Sequence, residues 1–272
     1  MTLFDVLVAA LAADDPTPTL AAFARRADLP DPFTGLLLMD ASARDTTTGR
    51  LRHKLTWDHS VKVAAKTDPD DVELRLAALL HDIGKPDTRR IEGGEVTFRH
   101  HEQVGETIVR ELFPAMGCAD GVLTDRVARA VGLSGRYKAD GSGAADVWSD
   151  AAVRRFVRDC GGHDGQGSVL DLVLDLAFAD CTSRHPHKVW TNESQVQDLS
   201  DRIGRLAVED VRAAERPDLD GQAVMDLLGI GPGPQVGRAL AALLAAKRAN
   251  GGPLPDPQGW LTEWWADTAD AA

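Results

Sequence analysis

The chain has 272 residues, of which 43% are hydrophobic and 26% charged, and a formal net charge of -12. That is the make-up of a globular protein large enough for one sizeable core, or for a core with a small appendage, and no apolar run approaches the roughly 18 residues of a membrane span. The acidic balance makes long nucleic acids unlikely partners, while a small or terminal phosphate stays acceptable because a local basic pocket acts within a screening length of roughly 10 Å.

Met1 to Ala13 is apolar but has no basic leader, so it reads as a helix through Leu7 and Leu11 and not as an export signal, which places the protein in the cytoplasm. Trp57 to Lys66 reads as a helix carrying His59. In Thr67-Asp68-Pro69-Asp70-Asp71, Asp68 is the expected cap of the next helix, Pro69 fits its first turn and the acids suit its dipole. Val72, Leu76, Leu79, Leu80 and Ile83 then recur with helical period until Gly84-Lys85-Pro86 stops the segment, which sets His81 and Asp82 at a helix C-terminus. The only expected strands are the arms Arg90-Ile91 and Val96-Thr97-Phe98 of a hairpin around Gly93-Gly94.

Val104, Ile108, Val109 and Leu112 mark a helix beginning near His101-Glu102, and further helices are expected at 122–133, 150–159, 168–183 and 193–213, with a turn-rich break at 139–143. After Arg216-Pro217 come a short helix at Val224 to Leu228, the punctuation Gly229 to Pro234, and a helix from Gln235 to Arg248. The helical spacing of Trp260, Trp264 and Trp265 suits docking onto the body. The three cysteines, Cys118, Cys160 and Cys181, are odd in number and lack C-x-x-C spacing, so they are expected to be reduced and buried. The reading is an all-α protein: an N-terminal helical extension over 1–50, a helical array over 51–215 and a small C-terminal helical subdomain over 216–272. There is no internal repeat, and nothing in the sequence assigns an oligomeric state.

His81-Asp82 beside a helix stop is the main chemical signal, because imidazole and carboxylate together hold a divalent cation and leave positions for water and substrate. The dipeptide alone is weak, since a histidine on an apolar helix is ordinarily a packing residue. His59 precedes it by enough chain for an antiparallel neighbour to bring a second ring alongside. Asp180 ends a strongly apolar segment, Val169 to Ala179, where a carboxylate is costly unless something positive meets it. The expected ligand set is therefore His59, His81, Asp82 and Asp180. These donors suit Mg, Mn, Ni, Co, Zn or Fe without selecting among them.

His59-Ser60, Leu76 to Pro86 and Phe98-Arg99-His100-His101-Glu102, in the order His, His-Asp, Asp, resemble the HD superfamily of metal-dependent phosphohydrolases. Thr88-Arg89-Arg90, Val153 to Val157, Ala179 to Thr182, Arg216 to Gly221 and Leu227 to Gly237 are similar to the HD-bearing C-terminal part of actinobacterial CCA-adding tRNA nucleotidyltransferases, over about His53 to Trp265. The fold this implies is a helical HD array. No strand-rich Asp-x-Asp segment precedes His53, so the resemblance implies a free-standing HD unit without the polymerase head, and one that adds no nucleotides. Ser134, in Gly132-Leu133-Ser134-Gly135-Arg136-Tyr137, stands where the resemblance leads one to expect a histidine. That favours one metal, with His101 outside its coordination shell.

The implied activity is hydrolysis of a nucleotide or RNA-terminal phosphoester such as a 2',3'-cyclic phosphate. Asp82, Lys85 and His101 are the candidate catalytic residues: Lys85 as a charge near the reacting phosphate, His101 as general acid or as support for the ligands. Lys85, Arg89, Arg90 and Arg136 are the candidate substrate contacts, although Lys85 equally suits a helix C-terminus and the arginines equally suit a solvated surface. Two other readings stay open: an RNA-end or protein-binding module with a structural metal, and an HD-type di-iron oxygenase, which needs more histidines than Ser134 leaves.

Overall fold

Thr2 Oγ1 accepts from the Asp5 amide at 3.1 Å and Asp5 Oδ2 accepts from the Thr2 amide at 2.7 Å, a reciprocal cap that starts α1 (Leu3–Leu11). The computed structural model describes residues 1–39, 43–44, 51–52, 55–92, 95–136, 148–162, 168–183 and 185–269. α2 (Thr17–Phe23) and α3 (Asp31–Leu38) each carry a proline in the first turn, where no amide donor is needed. A ribbon that the sequence did not announce follows: β1 (Ala43–Arg44) pairs antiparallel with β2 (Leu51–Arg52), and two-residue strands are too short to show a period.

α4 (Thr56–Ala64) is amphipathic and buries Trp57, His59, Ser60, Val61 and Val63. α5 (Val72–Leu80) starts later than expected, and its cap is Asp71, whose Oδ1 accepts from the Leu74 amide at 2.8 Å. Asp68 is diverted into a turn, where its Oδ1 accepts from the Asp70 amide at 2.9 Å. The expected stop at Gly84-Lys85-Pro86 is real, but the chain resumes there as a single helical turn, α6 (Lys85–Thr88). The hairpin of β3 (Arg90–Glu92) and β4 (Glu95–Thr97) follows, with Ile91 opposite Val96; its turn at Gly93-Gly94 lies outside the described residues.

α7 (His101–Ala115), α8 (Gly121–Leu133), α9 (Asp150–Asp159) and α10 (Val169–Ala179) come next, the last three capped by Asp120, Ser149 and Ser168. α10 ends before the expected residue 183, which makes Asp180 its C-cap, and α11 (Pro186–Ala214) starts before the expected 193 because Pro186 suits a first turn. The turn-rich stretch at 139–143 lies outside the described residues.

α5 is central: α4, α8, α10 and α1 pack on it, while α7 lies along α8. Leu76, Leu79, Leu80, Val109, Phe113, Val127, Val131 and Val173 form the dry interior. Arg75, on α5, is also buried, at 1% exposure. Its guanidinium donates to the carbonyls of Leu11 and Ala13 at the end of α1, to Asp14 O at 3.4 Å and to Thr67 O at 3.2 Å. The arginine thus supplies donors to a helix terminus that has no basic residue in its own last turn. Of the cysteines only Cys160 is buried; Cys118 and Cys181 are partly exposed, and all three thiols are free.

Contacts divide the chain into two units, residues 1–204 and 205–272. In the second, α12 (Gly221–Leu228), α13 (Pro234–Asn250) and α14 (Pro257–Ala269) enclose Val224, Val236, Ala239, Leu243 and Leu261. Trp260 and Trp264 pack against this cluster. Among the described residues no helix is long and apolar enough to cross a membrane.

Candidate metal centre

Four chain segments converge at one point. α4 brings His59, the end of α5 brings His81 and Asp82, the end of α10 brings Asp180, and the first residue of α7 is His101. His59, His81 and Asp82 are buried, and one ligand atom from each lies within 4.8 Å of the others. His59 Nε2 is 3.0 Å from Asp180 Oδ1 and 3.9 Å from Asp82 Oδ2; His81 Nε2 is 3.4 Å from Asp82 Oδ1 and 3.5 Å from Asp180 Oδ1. Two atoms each about 2.1 Å from one ion are roughly 3.0 to 3.4 Å apart in octahedral or tetrahedral shells. The separations of 3.0 and 3.4 Å fall on that edge length, the 3.5 Å one lies just beyond it, and the 3.9 Å one is longer.

The rings are turned by their neighbours. His81 Nδ1 is 2.8 Å from Ala78 O and His101 Nδ1 is 2.8 Å from Phe98 O; a carbonyl only accepts, so both rings carry a proton on Nδ1 and present Nε2 to the cluster. His59 Nδ1 meets Thr182 Oγ1 at 3.0 Å. Lys66 Nζ donates to Ala179 O at 3.2 Å and Cys181 O at 2.8 Å, gripping the chain on either side of Asp180. Gly84, the N-cap of α6, lets the start of that turn meet α7 backbone to backbone: a Cβ there would fall on the carbonyl oxygen of His101 and lie 2.7 Å from the Gly105 amide nitrogen.

Asp82 Oδ2 accepts from Lys85 Nζ at 2.6 Å. Burial pushes the Asp82 carboxyl up, but the His81 ring and the Lys85 ammonium outweigh burial and hold it at about 2. Burial likewise opposes charge on His81, yet Asp82 and Asp180 raise its proton affinity above the usual imidazole value. Both shifts describe one field: this spot favours positive charge. With its ring neutral, the Nε2 lone pair of His81 faces carboxylate oxygens with no hydrogen between them, which a shared cation turns from repulsion into ligation. The donor set fits a divalent ion.

A family model for the HD domain matches residues 51–140. The chain carries an HD domain. It is also 28% identical over 257 residues to an A-adding tRNA nucleotidyltransferase of Deinococcus radiodurans, across 88% of this chain and 56% of that protein. A CC-adding tRNA nucleotidyltransferase of Thermus thermophilus is 30% identical over 224 residues, across 79% of this chain and 46% of that protein. The chain thus spans about half the length of these relatives. The matched HD segment contains His59, His81, Asp82, Lys85 and His101, whereas Asp180 lies beyond it and joins the cluster through the fold.

The remaining sequence-predicted residues of the HD domain divide by position. His101 is beside the cluster, its Nε2 3.6 Å from Asp82 Oδ1 and its side chain 20% exposed. Lys85 lies on Asp82 and 5.6 Å from the centre of the Phe98 ring. Arg89 and Arg90 are exposed, and Arg90 donates to the nearby carbonyls of Asp87 and Arg89. Arg136 pairs with Asp159 at 2.6 Å. Ser134 is buried and its hydroxyl donates to Val131 O at 2.9 Å, within its own helix. Sequence reasoning gave no role to Thr182 or Lys66, whose only signal is their nearness in the fold to the end of α10.

Proposed function

We propose that the HD domain is a divalent-metal phosphohydrolase, its ion held by His59, His81, Asp82 and Asp180. Its substrate is a nucleotide or RNA-terminal phosphoester such as a 2',3'-cyclic phosphate. The observation that carries this reading is the convergence of two imidazole nitrogens and two carboxylates from three segments, at spacings that suit one coordination shell, with His101 beside them. The relatives' names refer to tRNA, which favours an RNA end or a nucleotide among phosphoesters.

A bound divalent ion supplies polarisation of a phosphoryl oxygen and a lowered pKa for the attacking water. The chain's own residues do the rest. Lys85 keeps Asp82 ionised and oriented. His101, with Nδ1 tied to Phe98 O, has Nε2 available to hold or deliver a proton, and its partial exposure supports a role as the leaving group's acid. Arg89, exposed and without an ion pair among the described residues, attracts the phosphate during approach. The hydroxyl of Ser134, turned into its own helix, supports a single ion.

The test is turnover of 2',3'-cyclic nucleotides, 2'-nucleotides and an aryl phosphate by metal-loaded protein, with helicity checked for each variant. His81→Ala, Asp82→Ala, His59→Ala and Asp180→Ala should abolish hydrolysis, whereas Lys85→Ala should cost about a hundredfold, the usual cost of one lost charge-stabilising group at roughly 3 kcal/mol. Folded ligand variants that turn over normally, or metal-loaded wild type that cleaves none of these esters, would end the enzyme reading and leave a binding role.

A further inference from the structure

Beside α9 there is a cleft of about 380 Å³ lined by Gly135, Arg136, Trp148, Ala152 and Arg155. Small-molecule sites occupy roughly 300 to 1,000 Å³. Two contacts join the cleft to the metal centre. Gly135 lies so close to Glu102 that a Cβ would strike its carboxylate, and Glu102 Oε2 is 3.4 Å from His101 Nδ1.

The lining is chemically selective. Trp148 is half-buried and held tilted against Phe156, with ring centres 5.3 Å apart at 61°. Arg136 is fixed by Asp159 and lies 6.0 Å from the centre of the same Phe156 ring. Arg155, on α9, is exposed and has no ion pair among the described residues. The lining thus offers an anchored aromatic side chain and two guanidiniums in a chain whose net charge is -12. Flat aromatic surface suits a base, and guanidinium suits phosphate oxygens, so the pair matches a nucleotide better than a sugar or an acyl chain.

We infer that this cleft is the nucleoside subsite of the HD domain, with Trp148 stacking the base and Arg155, beside Arg136, meeting a phosphate group. The inference rests on the phosphohydrolase reading, for which it supplies the part of the substrate that does not react. A free nucleotide and the last nucleotide of an RNA present the same chemistry here.

Calorimetric binding to the full chain tests it, using a non-hydrolysable methylenephosphonate analogue of AMP, adenosine, inorganic phosphate and a short single-stranded oligonucleotide. The analogue should bind at least tenfold more tightly than inorganic phosphate. Trp148→Ala should weaken both the analogue and adenosine by roughly tenfold, the loss of one stacked base. Arg155→Glu, a change at an exposed position that leaves packing intact, should weaken the analogue about tenfold and leave adenosine unchanged. Tighter binding of the oligonucleotide than of the analogue would support an RNA end, and the reverse order a free nucleotide. An analogue that binds no better than phosphate, or is unaffected by both substitutions, overturns the subsite. Binding as described with no ester cleaved upholds the subsite while the hydrolase reading falls. Esters cleaved with KM unmoved by both substitutions overturn the subsite and leave the hydrolase reading standing.

Discussion

Metal and proton compete for the space between His81 and the two carboxylates, so the stability conferred by a divalent ion should grow with pH. In the metal-free chain Asp82 and Asp180 raise the proton affinity of the His81 ring above its unfolded value of about 6.5. A raised pKa contributes stability that is fully present below the unfolded value and is lost as pH rises through the folded one. Asp82, held at about 2, stays ionised throughout this range and adds no slope. At alkaline pH the cluster therefore lacks its proton, and an ion present at a hundred times its dissociation constant adds about 2.7 kcal/mol. For a cooperative unit of the size of residues 1–204, that corresponds to a rise in Tm of roughly 5 to 11 °C. Thermal melts in EDTA and in excess MnCl2 at pH 5.5, 7.0 and 8.5 would read it. The rise should be largest at pH 8.5, smallest at pH 5.5 and lost in Asp82→Asn. An equal rise at every pH, or an undiminished rise in Asp82→Asn, would refute the shared-site argument.

Arg75→Met should destabilise the chain by about 3 kcal/mol in urea titration: four carbonyls lose charge-assisted donors, and this outweighs the relief from no longer desolvating a guanidinium. A change below about 1 kcal/mol would mean that those carbonyls find other donors. Burial pushes the Cys160 thiol up to about 12, leaving roughly one molecule in ten thousand as thiolate at pH 8. Native protein should therefore expose two thiols, Cys118 and Cys181, to an aromatic disulfide reagent, with the third reacting only after denaturation; three thiols reacting at one rate would contradict the buried placement.

Much of the site was legible because its signals are local. A histidine and an aspartate at a glycine-proline stop, and a carboxylate ending an apolar run, are unusual within a few residues of chain, and the fold brings both to the same place. Ser149 and Ser168 were not singled out as caps, although each meets an amide only three residues away. The other parts that escaped depend on partners distant in sequence. Arg75 looks like an exposed charge on an apolar helix until the end of α1 is laid over it. Lys66 looks like an ordinary solvated charge until the residues around Asp180 come within reach. Trp148 gives no signal by itself, because only the fold sets it in the same cleft as Arg136 and Arg155. Asp68 was misread because two neighbouring aspartates can each cap, and only the turn decides between them.

Gly84 acts as a fixed ruler for the chemistry. Where the start of α6 and α7 meet through bare backbone, the distance from Asp82 to His101 is set by peptide dimensions and not by the choice of side chain. Mutation can recharge or enlarge the cleft at Trp148 one residue at a time, but it cannot widen the ligand cage by small steps, because the first added carbon at position 84 forces two helices apart. Descendants of this chain that acquire new substrates should therefore vary around the rim while keeping the same gauge at the centre.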